Sequence, residues 1–215
     1  EEDYPFHIIG GYTGSGKTLV LQELHNTGNR MLDLEDIAKH KGSAFGAIKG
    51  VPQPTQEMFE NLLGEKLSSL NKTDRGPIWV EDESQRIGNI NLPPLFWRTM
   101  RNSPVYFLDI PFEERLKHIV EEYGQQNKEQ LLGAVSRIQK RLGGLETKTT
   151  IQCLEEDDIP GAFRILLKYY DKHYKKALDK RNNPNVEIGQ IQSNEVNAEL
   201  NTKILLRWKE LSKSD

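Results

Sequence analysis

The sequence predicts an α/β protein: a parallel sheet flanked by helices. Three observations point there. Apolar, partly β-branched segments alternate with helical ones along most of the 215 residues, the pattern of parallel strands joined by crossover helices. The first such segment, Phe6-His7-Ile8-Ile9, runs into a glycine-rich loop and then a helical stretch. Another, Ile78-Trp79-Val80, ends in the carboxylates Glu81-Asp82-Glu83.

The elements follow in order. Strands are expected at 6–10, 30–34, 78–81, 105–110 and 186–191. Helices are expected at 17–26, 55–70, 94–101, 112–123, 128–142, 159–180 and 194–211. Leu19, Leu21 and Leu24 fill one side of the first helix. Gly143-Gly144 stops the fifth, and Pro160 suits the first turn of the sixth. No internal repeat or low-complexity linker interrupts the pattern. A single domain is expected, with its core at about 5–191 and a C-terminal helix at about 194–211. Residues 38–54 carry Gly42, Gly46, Gly50, Pro52 and Pro54 without a clear period. They read as a long loop over the carboxyl edge of the sheet, where such folds bind ligands.

The stretch Gly11-Tyr12-Thr13-Gly14-Ser15-Gly16-Lys17-Thr18 satisfies G-x-x-x-x-G-K-[ST] at every fixed position, between a strand and a helix. Gly11, Gly14 and Gly16 permit backbone angles that a Cβ forbids. Successive N–H groups of Gly11, Thr13, Gly14, Ser15, Gly16, Lys17 and Thr18 form an anion nest at a helix N-terminus. Lys17 is expected to reach the terminal phosphates, and the Thr18 hydroxyl to help hold Mg²⁺. The fold is therefore P-loop NTPase-like, with a kinase-like lid region and a helical C-terminal part. The motif identifies a phosphate site, not a reaction.

Glu81 is the first candidate for the acidic partner of Mg²⁺, and Asp82 the second. Glu83 is placed to orient a substrate hydroxyl or a water, beside Ser84 and Arg86. Lys17, Glu81 and Glu83 are the catalytic candidates. Asp33 or Glu35 either meets an acceptor or caps the following helix.

The formal net charge of −3 argues against a uniformly basic nucleic-acid binder, while leaving room for a basic patch. The single Cys153 excludes an intrachain disulfide and fits a cytoplasmic setting. It reads as a small buried residue near a strand end. No apolar run approaches the ~18 residues of a membrane span, and no secretory leader is expected.

Several segments together resemble the P-loop domain of tRNA 2-selenouridine synthases. They are "GGYTGSGKT", "LDLEDIAKHKGSAFG", "QPTQEMFENLL", "WVEDESQRIG", "LPPLFWRTM", "EERLKHIVEEYG", "RIQKRLGG" and "YYDKHY", in order from about Gly10 to Tyr174. The resemblance implies a transferase acting on the wobble 2-thiouridine of tRNA, with selenophosphate as selenium donor and geranyl diphosphate as donor of a geranyl group. It implies site roles for the phosphate loop and for His40, Gly42, Ser43, Gly46, Glu81, Glu83, Ser84 and Arg86. It also implies a rhodanese-like domain with a catalytic cysteine, which this chain does not contain. That half is expected as a missing N-terminal domain or a separate partner, and this domain alone is not expected to suffice for selenation.

The phosphate ligand is then geranyl diphosphate or a nucleoside triphosphate, with Mg²⁺. The preferred reading places the diphosphate of geranyl diphosphate in the loop, with Phe45, Ile87 and Phe96 as candidates to line its chain. Residues 164–181 carry seven Lys or Arg against two Asp, with Lys168, Lys172 and Lys176 on one face. With Tyr169, Tyr170 and Tyr174 interleaved, this helix is a candidate RNA surface. Arg137, Lys140 and Arg141 form a second basic cluster in the lid region, where Arg137 and Arg141 are candidate phosphate or RNA contacts. His40, Ser43, Arg86, Arg137, Arg141 and Lys172 are thus the substrate candidates. Two alternatives remain: a small-molecule or nucleotide kinase or ATPase, and a non-catalytic tRNA- or nucleotide-binding module serving a separate rhodanese subunit.

Overall fold

Five strands, of which β1, β3 and β6 are almost wholly buried and rich in β-branched and aromatic residues, build a sheet in the order β2-β3-β1-β6-β7. The computed structural model describes residues 4–46, 51–71, 76–124, 126–181, 186 and 188–211. The sheet strands are β1 (Phe6–Gly11), β2 (Arg30–Leu32), β3 (Ile78–Glu81), β6 (Val105–Asp109) and β7 (Ile188–Gln192), and every pairing is parallel. A small antiparallel hairpin, β4 (Arg86–Ile87) with β5 (Ile90–Asn91), follows β3. The helices are α1 (Lys17–Asn26), α2 (Leu34–Ala38), α3 (Gln56–Asn71), α4 (Pro94–Arg101), α5 (Phe112–Tyr123), α6 (Lys128–Leu142), α7 (Gly144–Glu155), α8 (Ile159–Asp179) and α9 (Ala198–Leu211).

Three apolar clusters hold these layers. One joins Phe6, Ile8, Ile78 and Val80 to Phe59 of α3 and Phe96 of α4. Another joins Ile9, Trp79 and Leu108 to Leu21 and Leu24 of α1 and Leu205 of α9. The third lies outside the sheet, where Leu131, Val135, Leu154, Phe163 and Leu166 pack α6, α7 and α8 together. The α6–α7 pair stands in the expected lid region.

The α/β sheet flanked by helices matches expectation, and most element bounds shift by a residue or two. β2 stops at Leu32 because the Asp33 carboxylate accepts from the Asp36 amide at 2.8 Å and starts α2. A side-chain cap of this kind ends the strand geometry. Thr55 and Asn197 likewise start α3 and α9, accepting from Met58 and Leu200. The last helix therefore begins later than 194. α7 and the β4–β5 hairpin were not foreseen. Gly143 ends α6 and immediately starts α7, so the glycine pair is a corner between two helices rather than the end of helical structure. Cys153 sits partly buried on α7, not at a strand end. Part of the long loop, 47–50, lies outside the described residues, as does residue 187 in the last expected strand. Among the described residues no helix is long and apolar enough to cross a membrane.

Candidate functional site

The parallel order brings the carboxyl ends of β1, β3 and β2 side by side, so that the loop after β1 faces the carboxylates after β3 and β2. A cleft of about 1940 Å³ opens over this edge. Its walls include Gly14, Lys17 and Thr18 of the phosphate loop, Glu35 beyond β2, Glu81 and Glu83 at β3, and His40 to Phe45 from the long loop. Arg137 and Arg141 of α6 and Tyr170 and Tyr174 of α8 also line it.

The loop itself is held from beneath. Gly14 adopts φ 82°, and a Cβ there would stand 2.7 Å from Ile119 Cγ1 and 2.8 Å from the Arg115 carbonyl oxygen. Only glycine lets the loop rest directly on α5. The Arg115 guanidinium, almost fully buried, donates to the Thr13 carbonyl at 3.0 Å and to the Ile110 carbonyl at 3.1 Å, and makes a bidentate pair with Asp171 of α8. The Lys17 ammonium donates to the Gly11 carbonyl at 3.0 Å. Ser15 is fully buried with its Oγ unpartnered.

Opposite the loop, one carboxylate oxygen from each of Glu35, Glu81 and Glu83 lies within 4.8 Å of the others. Glu81 is buried and Glu35 and Glu83 are partly buried. All three are held well above the ordinary carboxylate range. Burial is the main cause, and for Glu35 and Glu83 the charge of Glu81 comes next; Lys17 opposes the rise in each. Thr18 hydrogen-bonds Glu81, while Glu81 Oε1 has no hydrogen-bond partner. Buried carboxylate oxygens ordinarily find a donor or a cation. A hard cation with oxygen ligands fits this donor set. Thr18 and Glu81 would hold it, and it would supply positive charge beside the terminal phosphates.

Asp82, the alternative metal carboxylate, is engaged elsewhere. It accepts from the Tyr174 hydroxyl at 2.7 Å and pairs with Arg181, the Asp82 and Arg181 side chains both being nearly buried. Adjacent residues on an extended chain point to opposite sides, so Glu81 and Glu83 meet Glu35, while Asp82, which also lines the cleft, turns its carboxylate to Tyr174 and Arg181. The substrate candidates divide. His40 lines the cleft; burial, and then the charge of Arg137, push its pKa down. Ser43 accepts from the Phe45 amide at 3.1 Å and hydrogen-bonds Tyr123. Arg137 donates to the Ala44 carbonyl at 2.8 Å, tying α6 to this loop, and Arg141 stands nearby on the same helix. Arg86 is exposed at the rim and donates to the Gly88 carbonyl at 2.9 Å. Lys172 is exposed with Lys168 and Lys176 on the outer face of α8, outside the cleft lining.

Of the three apolar candidates, Phe45 lies in the cleft wall against Phe163 and Tyr123. Ile87 and Phe96 instead pack beneath the sheet. Tyr174 faces inward to Asp82 and the loop rather than outward to stack on a base. Sequence reasoning left Glu35 between two roles and did not see the contacts of Asp171 and Tyr174 of α8 and of Arg181 just beyond it. Glu35 carried a signal, since it follows the strand beside β3, but Asp33 takes the capping role that competed for it.

A strand–loop–helix phosphate nest facing a carboxylate-tipped parallel strand defines a P-loop phosphate-binding protein. The chain belongs to the tRNA 2-selenouridine synthase AAA domain family, whose model matches residues 4–204. It is 34% identical over 209 residues to the tRNA 2-selenouridine synthase of Marinobacter nauticus, covering 84% of this chain and 56% of that protein. With the tRNA 2-selenouridine synthase of Nitrosomonas europaea it shares 42% identity over 117 residues, or 54% of this chain and 30% of that protein. The chain thus spans about half, or less, of these relatives. Among solved structures, a shikimate kinase from Bacteroides thetaiotaomicron aligns over 96% of this chain and 97% of its own, with 13% identity and a TM-score of 0.42.

Proposed function

We propose that this domain binds the diphosphate of a prenyl diphosphate, such as geranyl diphosphate, in the phosphate loop and presents it to the 2-thiouridine of a bound tRNA. The observation that carries the reading is the single cleft joining the loop, the carboxylates and an aromatic wall around Phe45. In the reaction, the thiocarbonyl sulfur attacks the first carbon of the prenyl chain. A sulfur–carbon bond forms, the carbon–oxygen bond to the diphosphate breaks, and the base gives up its N3 proton. Negative charge accumulates on the departing oxygens, where loop amides and Lys17 stabilise it most. Mg²⁺ held by Thr18 and Glu81 would neutralise further charge there. In this reading His40 and Ser43, which line the cleft, are assigned to the base, and Arg137, Arg141, Arg86 and Lys172 to RNA phosphates. Selenophosphate and a rhodanese-domain partner belong to the complete selenation reaction. Cytoplasmic location is part of the same reading.

The test follows pyrophosphate release and geranylated base with geranyl diphosphate and thiolated tRNA, with ATP in a parallel arm. Release that requires both substrates, and falls at least about 100-fold in Lys17→Ala, is expected for loss of a charge-stabilising donor. Turnover unchanged in Lys17→Ala, or phosphate release from ATP alone, would overturn the reading; the latter favours a kinase or ATPase.

A further inference from the structure

We propose that the cleft takes two divalent cations, the second of them held between Glu35 and Glu83 beside the one at Thr18 and Glu81. The inference rests on the reading of the loop as a diphosphate site, though not on the prenyl chain or the RNA.

Three features converge on this second position. Glu35 reaches it from the start of α2 and Glu83 from beyond β3, so two separate chain segments deliver one carboxylate each. Gly42, in the left-handed region at φ 65°, sits against the gap between them. A Cβ there would lie 2.8 Å from Glu35 Oε1 and 3.0 Å from Glu83 Oε2. The cradle is therefore one that any side chain at position 42 would fill. Finally, Glu81 Oε1 is buried without a partner, on a carboxylate one of whose oxygens lies within 4.8 Å of those of Glu35 and Glu83.

Charge balance separates two ions from one. Among the described residues, no ion pair engages Glu35, Glu81 or Glu83. Lys39 and Lys41 are committed to Asp36 and Glu122. One dication plus the Lys17 ammonium offsets the three carboxylates, and leaves a bound diphosphate only the loop amides and the cleft-wall arginines Arg137 and Arg141 to face its excess negative charge. A second dication removes most of that excess. One oxygen from each of the three carboxylates lies within 4.8 Å of the others, which puts the Glu35–Glu83 pair directly beside Glu81, the residue that would hold the first ion; two-metal sites on transferring or departing phosphates use such neighbouring carboxylates. Glu35 and Glu83 would hold the second ion, which would supply further positive charge beside the diphosphate.

The experiment is equilibrium dialysis of Mn²⁺ with the protein at saturating inorganic pyrophosphate, with bound Mn²⁺ counted per chain. Two ions are expected for the wild type and one for Glu35→Gln and for Glu83→Gln. Glu113→Gln, at an exposed pair with Arg164, keeps two. Both site variants remove carboxylate repulsion, and their metal-free thermal unfolding is expected at or above the wild-type midpoint, which separates ion loss from misfolding. A single ion in the wild type, or an unchanged count in Glu35→Gln, overturns the proposal. A count of two without prenyl transfer would defeat the proposed function alone, and prenyl transfer with one ion would defeat this inference alone.

Discussion

The Tyr174 hydroxyl accepts the Gly11 amide at 3.2 Å and donates to the Asp82 carboxylate at 2.7 Å. One phenol thus bonds helix α8 to the two strand ends that frame the cleft, β1 and β3. Three residues earlier, Asp171 holds Arg115, which holds the Thr13 carbonyl. One turn of α8 therefore grips the phosphate loop from both sides.

Tyr174→Phe removes this bridge while keeping the ring. It leaves the Gly11 amide and one Asp82 oxygen short of a partner, at a cost of about 1–3 kcal/mol. Urea denaturation is expected to show that loss, and pyrophosphate titration a several-fold weaker affinity. An unchanged midpoint and affinity would mean that the contact holds nothing in place.

Asp171→Ala strands the nearly buried Arg115 charge. Breaking a buried pair from one side costs about 3–5 kcal/mol. The expected result is a lower denaturation midpoint together with weaker pyrophosphate binding, because Arg115 also positions Thr13. A decrease in stability with full affinity would confine the pair to a structural role.

Gly14→Ala tests the seat of the loop. The left-handed geometry alone costs about 1–2 kcal/mol for a residue with a Cβ, and here the added atom meets Ile119 and the Arg115 backbone. Pyrophosphate affinity is expected to fall at least about tenfold, on the scale of one to two kcal/mol. Measured binding equal to wild type would show that the loop is free to lift from α5.

His40 sets a pH dependence. Its pKa lies below the ordinary 6.5 through burial and then through Arg137. The unfolded chain therefore takes up a proton more readily than the folded one, and stability is lost as pH falls from about 6.5 through the depressed folded value. Above that window His40 contributes no slope. Urea midpoints measured from pH 8 to pH 5 are expected to decline less in His40→Asn than in the wild type. Parallel declines would remove His40 as a source.

Much of this molecule is legible locally. The Gly11–Thr18 spacing, the apolar strand before it and the carboxylates after Val80 are sequential patterns, and each reflects a rule acting over a few residues. Capping was harder to read, because Asp33 and Glu35 both suit a helix start until the backbone selects one. Ile87 and Phe96 could not be told from cleft residues by apolar character, since burial beneath a sheet and burial in a pocket make the same demand on a side chain.

The chain on its own determined a parallel α/β sheet, a phosphate nest and an acidic edge, because strand alternation, glycine placement and the P-loop spacing are short-range requirements. The tertiary structure alone decided which carboxylates meet. Glu35 joins Glu81 and Glu83 because β2 pairs with β3 in parallel, while Asp82 turns away because α8 returns to it with Tyr174 and Arg181. Those partners lie about 50 to 100 residues apart in sequence, and only the packing of the helices against the sheet edge brings them within bonding distance.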